Sequence, residues 1–239
     1  MFLRFIIFAL FLVAVLESHA GALPAFLRDG SSRFLARSFG STCYTMDSME
    51  RGLPCNPAFI AKAEKRRFDG DLFLGTNMDY IRDADAMLNG ESDEATVASI
   101  FSRRDSSQAE ASIEASFQAQ TWGVSIEPYR LVYYSHFENP SLPVVDMIAA
   151  QEQSAKVQIS SYVAENFYAG LQVRYTHVKF IGKYFAVTEA LAGNTDEFFT
   201  PQTQELLYVE PGFAYTWQNA VWQPQVTAML AQGGVTNVT

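Results

Sequence analysis

Between Ser154 and Phe180 the side chains change character at every second position. Leu171, Val173 and Tyr175 fall on one side of an extended chain, and Gly170, Gln172, Arg174 and Thr176 on the other. Period two is the period of a strand, so the segment predicts two strands joined by a tight turn. A face carrying a guanidinium and an amide is costly to bury in a dry core. The alternation therefore predicts one apolar face and one wet face.

The same pattern recurs along the chain. Phe68 to Tyr80 places Leu72 and Leu74 opposite Asp71, Gly75 and Asn77. Glu110 to Gln120 sets Ile113, Ala115 and Phe117 against Ser112, Glu114, Ser116 and Gln118, and Thr121 to Phe137 sets Trp122, Val124 and Ile126 against Gly123, Ser125 and Glu127. Glu205 to Trp217 alternates Val209, Phe213, Tyr215 and Trp217 with Tyr208, Glu210, Gly212 and Thr216. Ala220 to Ala231 follows across a Gln218-Asn219 turn. This predicts seven strands. Closed single-chain bacterial barrels have an even number, so the expectation is a sequence shorter than the complete protein, or one strand unrecognised.

Between the strands, Ala58 to Lys65 predicts about two helical turns after the Pro54 and Pro57 turn. Asp83 to Asp105 reads as a polar, strand-poor loop with a short helix at Glu94 to Phe101. Leu142 to Gln153 reads as a proline-containing connection, and Thr195 to Pro201 as a loop. Gly233 to Thr239 reads as a turn or the start of a strand.

The first twenty residues read differently. Arg4 precedes an apolar run from Phe5 to Leu16, and Ser18-His19-Ala20 is a small-x-small site, so residues 1–20 are expected to be a signal peptide cleaved after Ala20. The run is shorter than the ~20 apolar residues of a spanning helix. An exported chain with dispersed apolar segments, 49% hydrophobic and 14% aromatic, fits membrane strands rather than membrane helices. Trp122, Tyr133, Tyr134, Phe137, Tyr162, Phe167, Tyr175, Phe180, Tyr184, Trp217 and Trp222 are expected to form interfacial girdles. A soluble β-sandwich would instead bury many of them.

The formal charge of −9 with no basic cluster argues against a nucleic-acid partner. Export favours a disulfide between Cys43 and Cys55, the only two cysteines. Two thiolates alone make an incomplete zinc site, and no metal or cofactor is expected. His136 and His177 lack a nucleophile motif and read as rim or loop residues, so no catalytic set is assigned. Asp83 and Asp85 lack a calcium-loop register and read as charged surface. The wet strand faces supply Glu114, Glu127, Lys156, Gln158, Gln172, Arg174 and Glu210 as lumen-lining candidates. They either line a hydrated passage or pair across and fill the interior; the mixed signs on neighbouring strands tilt the expectation toward a filled or gated interior.

Ala36-Arg37-Ser38-Phe39-Gly40, then Asp47, then Asn56-Pro57-Ala58 ahead of the first strand resembles the opening of the FadL-like outer-membrane barrels. Trp222-Gln223-Pro224-Gln225-Val226 is similar to a strand of their TraF and PorV branch, while Ser41-Thr42-Cys43-Tyr44 stands where that family continues with glycines. The resemblance carries Arg37, Gly40, Asp47, Asn56, Pro57 and Ala58 as motif positions. It implies a barrel with its N-terminal segment folded into or beneath the lumen.

The expected architecture is thus all-β: an antiparallel outer-membrane β-barrel, residues 67–239, behind a plug-like irregular and helical segment, residues 21–66, with the Cys43–Cys55 loop. Its expected function is porin-like passage of small or apolar solutes, with membrane lipid, a small hydrophobic solute or an envelope protein as partners. The alternatives are a non-transporting docking barrel for a secretion, conjugation or envelope partner, and a soluble periplasmic β-domain.

Overall fold

The computed structural model describes residues 52–63, 66–75, 78–90, 107–138, 144–186, 188, 199–217, 224–230 and 234–238. The expected signal peptide, Arg37, Gly40, Cys43, Asp47, the Glu94–Phe101 helix, the Gln218-Asn219 turn and Trp222 lie outside them.

The chain is an antiparallel β-protein. After a short helix α1 (Phe59–Ala63), the elements run β1 (Arg67–Gly75), α2 (Met78–Leu88), β2 (Ser107–Gln118), β3 (Trp122–Glu138), β4 (Val144–Ala164), β5 (Phe167–Ala186), β6 (Gln202–Thr216), β7 (Gln225–Met229) and β8 (Gly234–Val238). All eight strands form one sheet, ordered β1 to β7 as in the sequence, with β8 also against β6. From β1 to β7 each strand pairs antiparallel with its chain neighbour, and β8 pairs with β6 instead of β7. β7 and β8 together run alongside β6, through Gly212↔Met229 and Tyr208↔Gly234. Among the described residues β1 pairs only with β2, so the sheet is not closed.

Several elements differ from the sequence reading. The eighth strand, Gly234–Val238, occupies the glycine-led terminus. The stretch before Ser154 is strand rather than connection, because β4 begins at Val144 and pairs with β5 from Val144↔Ala186 onward. The first strand ends at Gly75, and Met78, Asp79 and Tyr80 open helix α2. That helix also holds Asp83 and Asp85, and Asp83 is buried rather than part of a solvated loop.

The reason for α2 is its apolar stripe. Ile81, Ala84, Met87 and Leu88, at helical spacing, pack on Ala109, Ala111, Leu131, Tyr133, Val145, Met147, Ala149 and Ile181 of β2 to β5. These residues occupy the outward face at one end of the long strands. The inward face there holds a second cluster, Ile148, Ala150, Val178, Phe180, Leu206 and Tyr208. Tyr133 and Phe180 are therefore buried core residues, not members of an interfacial girdle. Among the described residues, only this end of the sheet is covered by apolar clusters on both sides.

Candidate functional site: a polar inner face behind an exposed apolar one

Beyond the helix-covered end, burial is inverted relative to a water-soluble sheet. On β1, Phe68 is 73% and Leu72 69% exposed, while Arg67, Asp69 and Asp71 on the opposite face are partly covered. On β5, Val173 and Tyr175 are exposed and Gln172 and Thr176 buried, the alternation read from the sequence. Ile113, Phe117, Trp122, Val124, Ile126, Val157, Ile159, Leu207, Phe213 and Val226 continue the exposed apolar face across the sheet. Glu110, Ser116, Gln118, Ser125, Glu127, Arg130, Glu152, Gln158, Ser160, Gln172 and Glu210 are buried behind it.

Strand register arranges the inner face in transverse rows. One row reads Arg67, Gln118, Gly123, Gln158, Gln172, Glu210 across β1 to β6. Within it the Gln158 amide donates to Gln172, and Gln172 donates to the Glu210 carboxylate. Arg174 Nη2 stands 3.4 Å from Glu210 Oε1, with its guanidinium 4.4 Å from the centre of the Tyr208 ring, a cation–π approach. The next row holds Ser125, Lys156 and Arg174. Glu114 accepts a 2.6 Å hydrogen bond from Ser125 and lies 3.7 Å from Lys156 Nζ. Glu127 accepts from Ser154 at 3.3 Å. All seven lumen candidates thus lie on one face, and the structure joins them into two clusters, with Glu127 beside Ser154.

A further buried ionic group lies outside those candidates. Arg130 donates to Glu110 at 2.9 Å and to Glu152 at 2.6 Å, and all three are buried. Charge-assisted bonds of this length offset part of the desolvation that burying three charges costs. Arg130 joins the inner face because the β3–β4 register shifts between Glu127 and Arg130, which carries its side chain inward together with Glu127. Pro128 was the available signal, since proline inside a strand marks a bulge or an edge.

The segment before β1 rests on this face. α1 lies against β3, β4 and β5. Gln158 Nε2 donates to the Pro54 carbonyl at 2.8 Å, Ser160 Oγ to the Ala58 carbonyl at 3.1 Å, and Arg67 to the Gly52 carbonyl. Asn56 is fully buried. Its Oδ1 accepts from the Ala58 amide at 3.0 Å, closing an Asx turn, and its Nδ2 donates to the Phe213 carbonyl at 3.3 Å and the Ala228 carbonyl at 3.5 Å. Three glycines make room. A Cβ on Gly123 would lie 2.6 Å from Leu53, one on Gly170 2.5 Å from the Pro57 backbone, and one on Gly212 would collide with Asn56. Asn56, Pro57 and Ala58 are thus packed against the inner face. Cys55, beside them, is disulfide-bonded, and the chain's one other cysteine is Cys43.

Aromatic rings gather at the end of the sheet remote from α2. Phe167 stacks on Phe213 at 6.2 Å, Tyr215 meets Trp217 edge-on at 4.6 Å, and Tyr162 meets Tyr168 at 5.7 Å. Toward α2 the exposed face of β4 to β6 turns polar at Gln153, His177 and Glu205, which are register partners. His177 Nδ1 is 3.8 Å from Glu205 Oε1. His177 thus lies on the outward face of β5, not in a loop.

Neither a known protein family, nor a curated protein, nor a solved structure matches this chain.

Proposed function

We propose that this chain builds the wall of an outer-membrane β-barrel of FadL-like type, its apolar face in lipid and its polar face turned to the interior. The carrying observation is the inversion of burial. Large apolar side chains stand exposed on one face from β1 to β7, while Arg130, Glu110, Glu152 and Glu210 are buried behind it. In water such a broad apolar surface is an aggregation liability, whereas hydrocarbon removes that penalty. The outward positions Leu207, Val209, Pro211, Phe213 and Tyr215 of β6, with Trp217 directly after it, occupy about the 9–11 residues a tilted strand needs to cross a bilayer. The aromatic end supplies rings of the kind found at barrel interfaces.

The proposed activity is passage of small apolar solutes, gated by the Gly52–Ala63 segment lying on the inner face. Fractionation and vesicle flotation test the location: the full chain should float with lipid and resist carbonate extraction. Reconstituted liposomes test the passage. Failure to accelerate entry of either ions or lipophilic dyes would reject transport while leaving the wall intact.

One observation favours a second reading, a docking barrel. The α2-covered end is buried on both faces by ordinary apolar packing, so it suits an aqueous surface offered to an envelope partner. Crosslinking in intact envelopes that recovers no partner through Arg82 or Asn89, exposed on and just after α2, would reject it.

A further inference from the structure

The outward face of β4 to β6 changes chemistry in successive register rows. Ala155, Tyr175 and Leu207 form the last apolar row, Gln153, His177 and Glu205 the next, and Gln151, Lys179 and Thr203 the one after. In the middle row the acid is engaged, for Glu205 Oε1 faces His177 Nδ1 at 3.8 Å. In the third row Lys179 is flanked by two neutral hydrogen-bonding side chains, and all three are half-buried. Among the described residues no ion pair holds Lys179.

We propose that Gln151, Lys179 and Thr203 bind the phosphate of an anionic membrane lipid whose acyl chain lies over Tyr175, Val173 and Leu207. This rests on the lipid-facing reading above and adds to it a headgroup site at a named depth. The argument is charge complementarity and continuity. An ammonium, an amide and a hydroxyl supply donors to a phosphate. They stand two rows beyond the exposed apolar surface, about 20 Å along the strand from Val173 to Lys179 and about 13 Å from Tyr175, by the strand rise. A lysine stem reaches along that margin with its charge directed to the headgroup layer. The placement is the more pointed because the chain as a whole carries a charge of −9.

The test uses the full chain, purified in detergent and exchanged against phosphatidylglycerol or phosphatidylcholine, with retained lipid counted by native mass spectrometry. Phosphatidylglycerol should be retained in preference. Lys179→Gln should lower that retention about fivefold, the factor expected for one lysine beside an anionic lipid surface, and leave phosphatidylcholine unchanged. Lys179→Arg should preserve it. Equal retention by wild type and Lys179→Gln would overturn the site. A thiol-reactive fluorophore on Val173→Cys, quenched by lipid brominated on its acyl chains, separates the two claims. Quenching at Val173 with no effect of Lys179→Gln sinks only the headgroup site, and absence of quenching sinks the lipid-facing reading as well.

Discussion

Asn56 sits directly over Gly212, so close that a hydrogen is the largest substituent the β6 position tolerates. The buried amide bridges Phe213 and Ala228, which are partners across β6 and β7. One side chain from the N-terminal segment therefore ties two wall strands together. It does so where the β7–β8 side carries one more residue than β6 between the Gly212↔Met229 and Tyr208↔Gly234 pairs.

Gly170→Ala or Gly212→Ala is expected to dislodge the Gly52–Ala63 segment or distort the wall beneath it. Overpacking of this kind costs about 1–3 kcal/mol. Gly70→Ala is the control, because nothing lies within 4 Å of a Cβ there. Urea unfolding of the folded protein in detergent, followed by the gel-mobility shift on heating, should rank both variants below wild type and Gly70→Ala.

Arg130→Met leaves Glu110 and Glu152 buried without their shared cation. Breaking a buried ion group by removing one partner costs about 3–5 kcal/mol. The triple variant Arg130→Met, Glu110→Gln, Glu152→Met should recover most of that loss. Equal stability of the single and triple variants in a denaturant titration would show that the three side chains do not act as a unit.

Val173→Arg discriminates the lipid-facing reading from a soluble one. An exposed residue of a soluble sheet accepts the change within about 0.5 kcal/mol. On a lipid face near the bilayer midplane it costs about 2–4 kcal/mol. Folding efficiency into phosphatidylcholine vesicles should fall steeply for Val173→Arg, whereas an unchanged yield contradicts the membrane assignment.

Cys55 is bonded, so wild-type protein purified without reductant should resist a thiol-reactive label until reduced. Cys43→Ser should make Cys55 reactive without reduction. Labelling of untreated wild type at the same rate as the variant would show that the bond does not form.

Where a strand ran in unbroken alternation, the sequence was easy to read. Leu171, Val173 and Tyr175 on one face and Gln172, Arg174 and Thr176 on the other follow from the pleat alone. The N-terminal half of β4 was harder. From Met147 to Ala150 both faces are apolar because α2 covers one and the inner cluster the other, so there was no period to see. Met78 to Tyr80 were misread for the opposite reason, since the alternation of β1 runs on into the first turn of a helix whose stripe shows only over its full length.

The chain's residue order alone determined the β-class, the Ser154–Phe180 hairpin and the presence of one polar and one apolar face, because side-chain direction in a strand is set by local geometry. Tertiary structure decided which residues meet across those strands. The Arg130 triad depends on a register shift of β3 against β4, and the seat of the Leu53–Ile60 segment depends on Gly123, Gly170 and Gly212, which stand on three different strands. Contacts of that kind join positions more than a hundred residues apart; no local pattern encodes them, and they exist only once the sheet has formed.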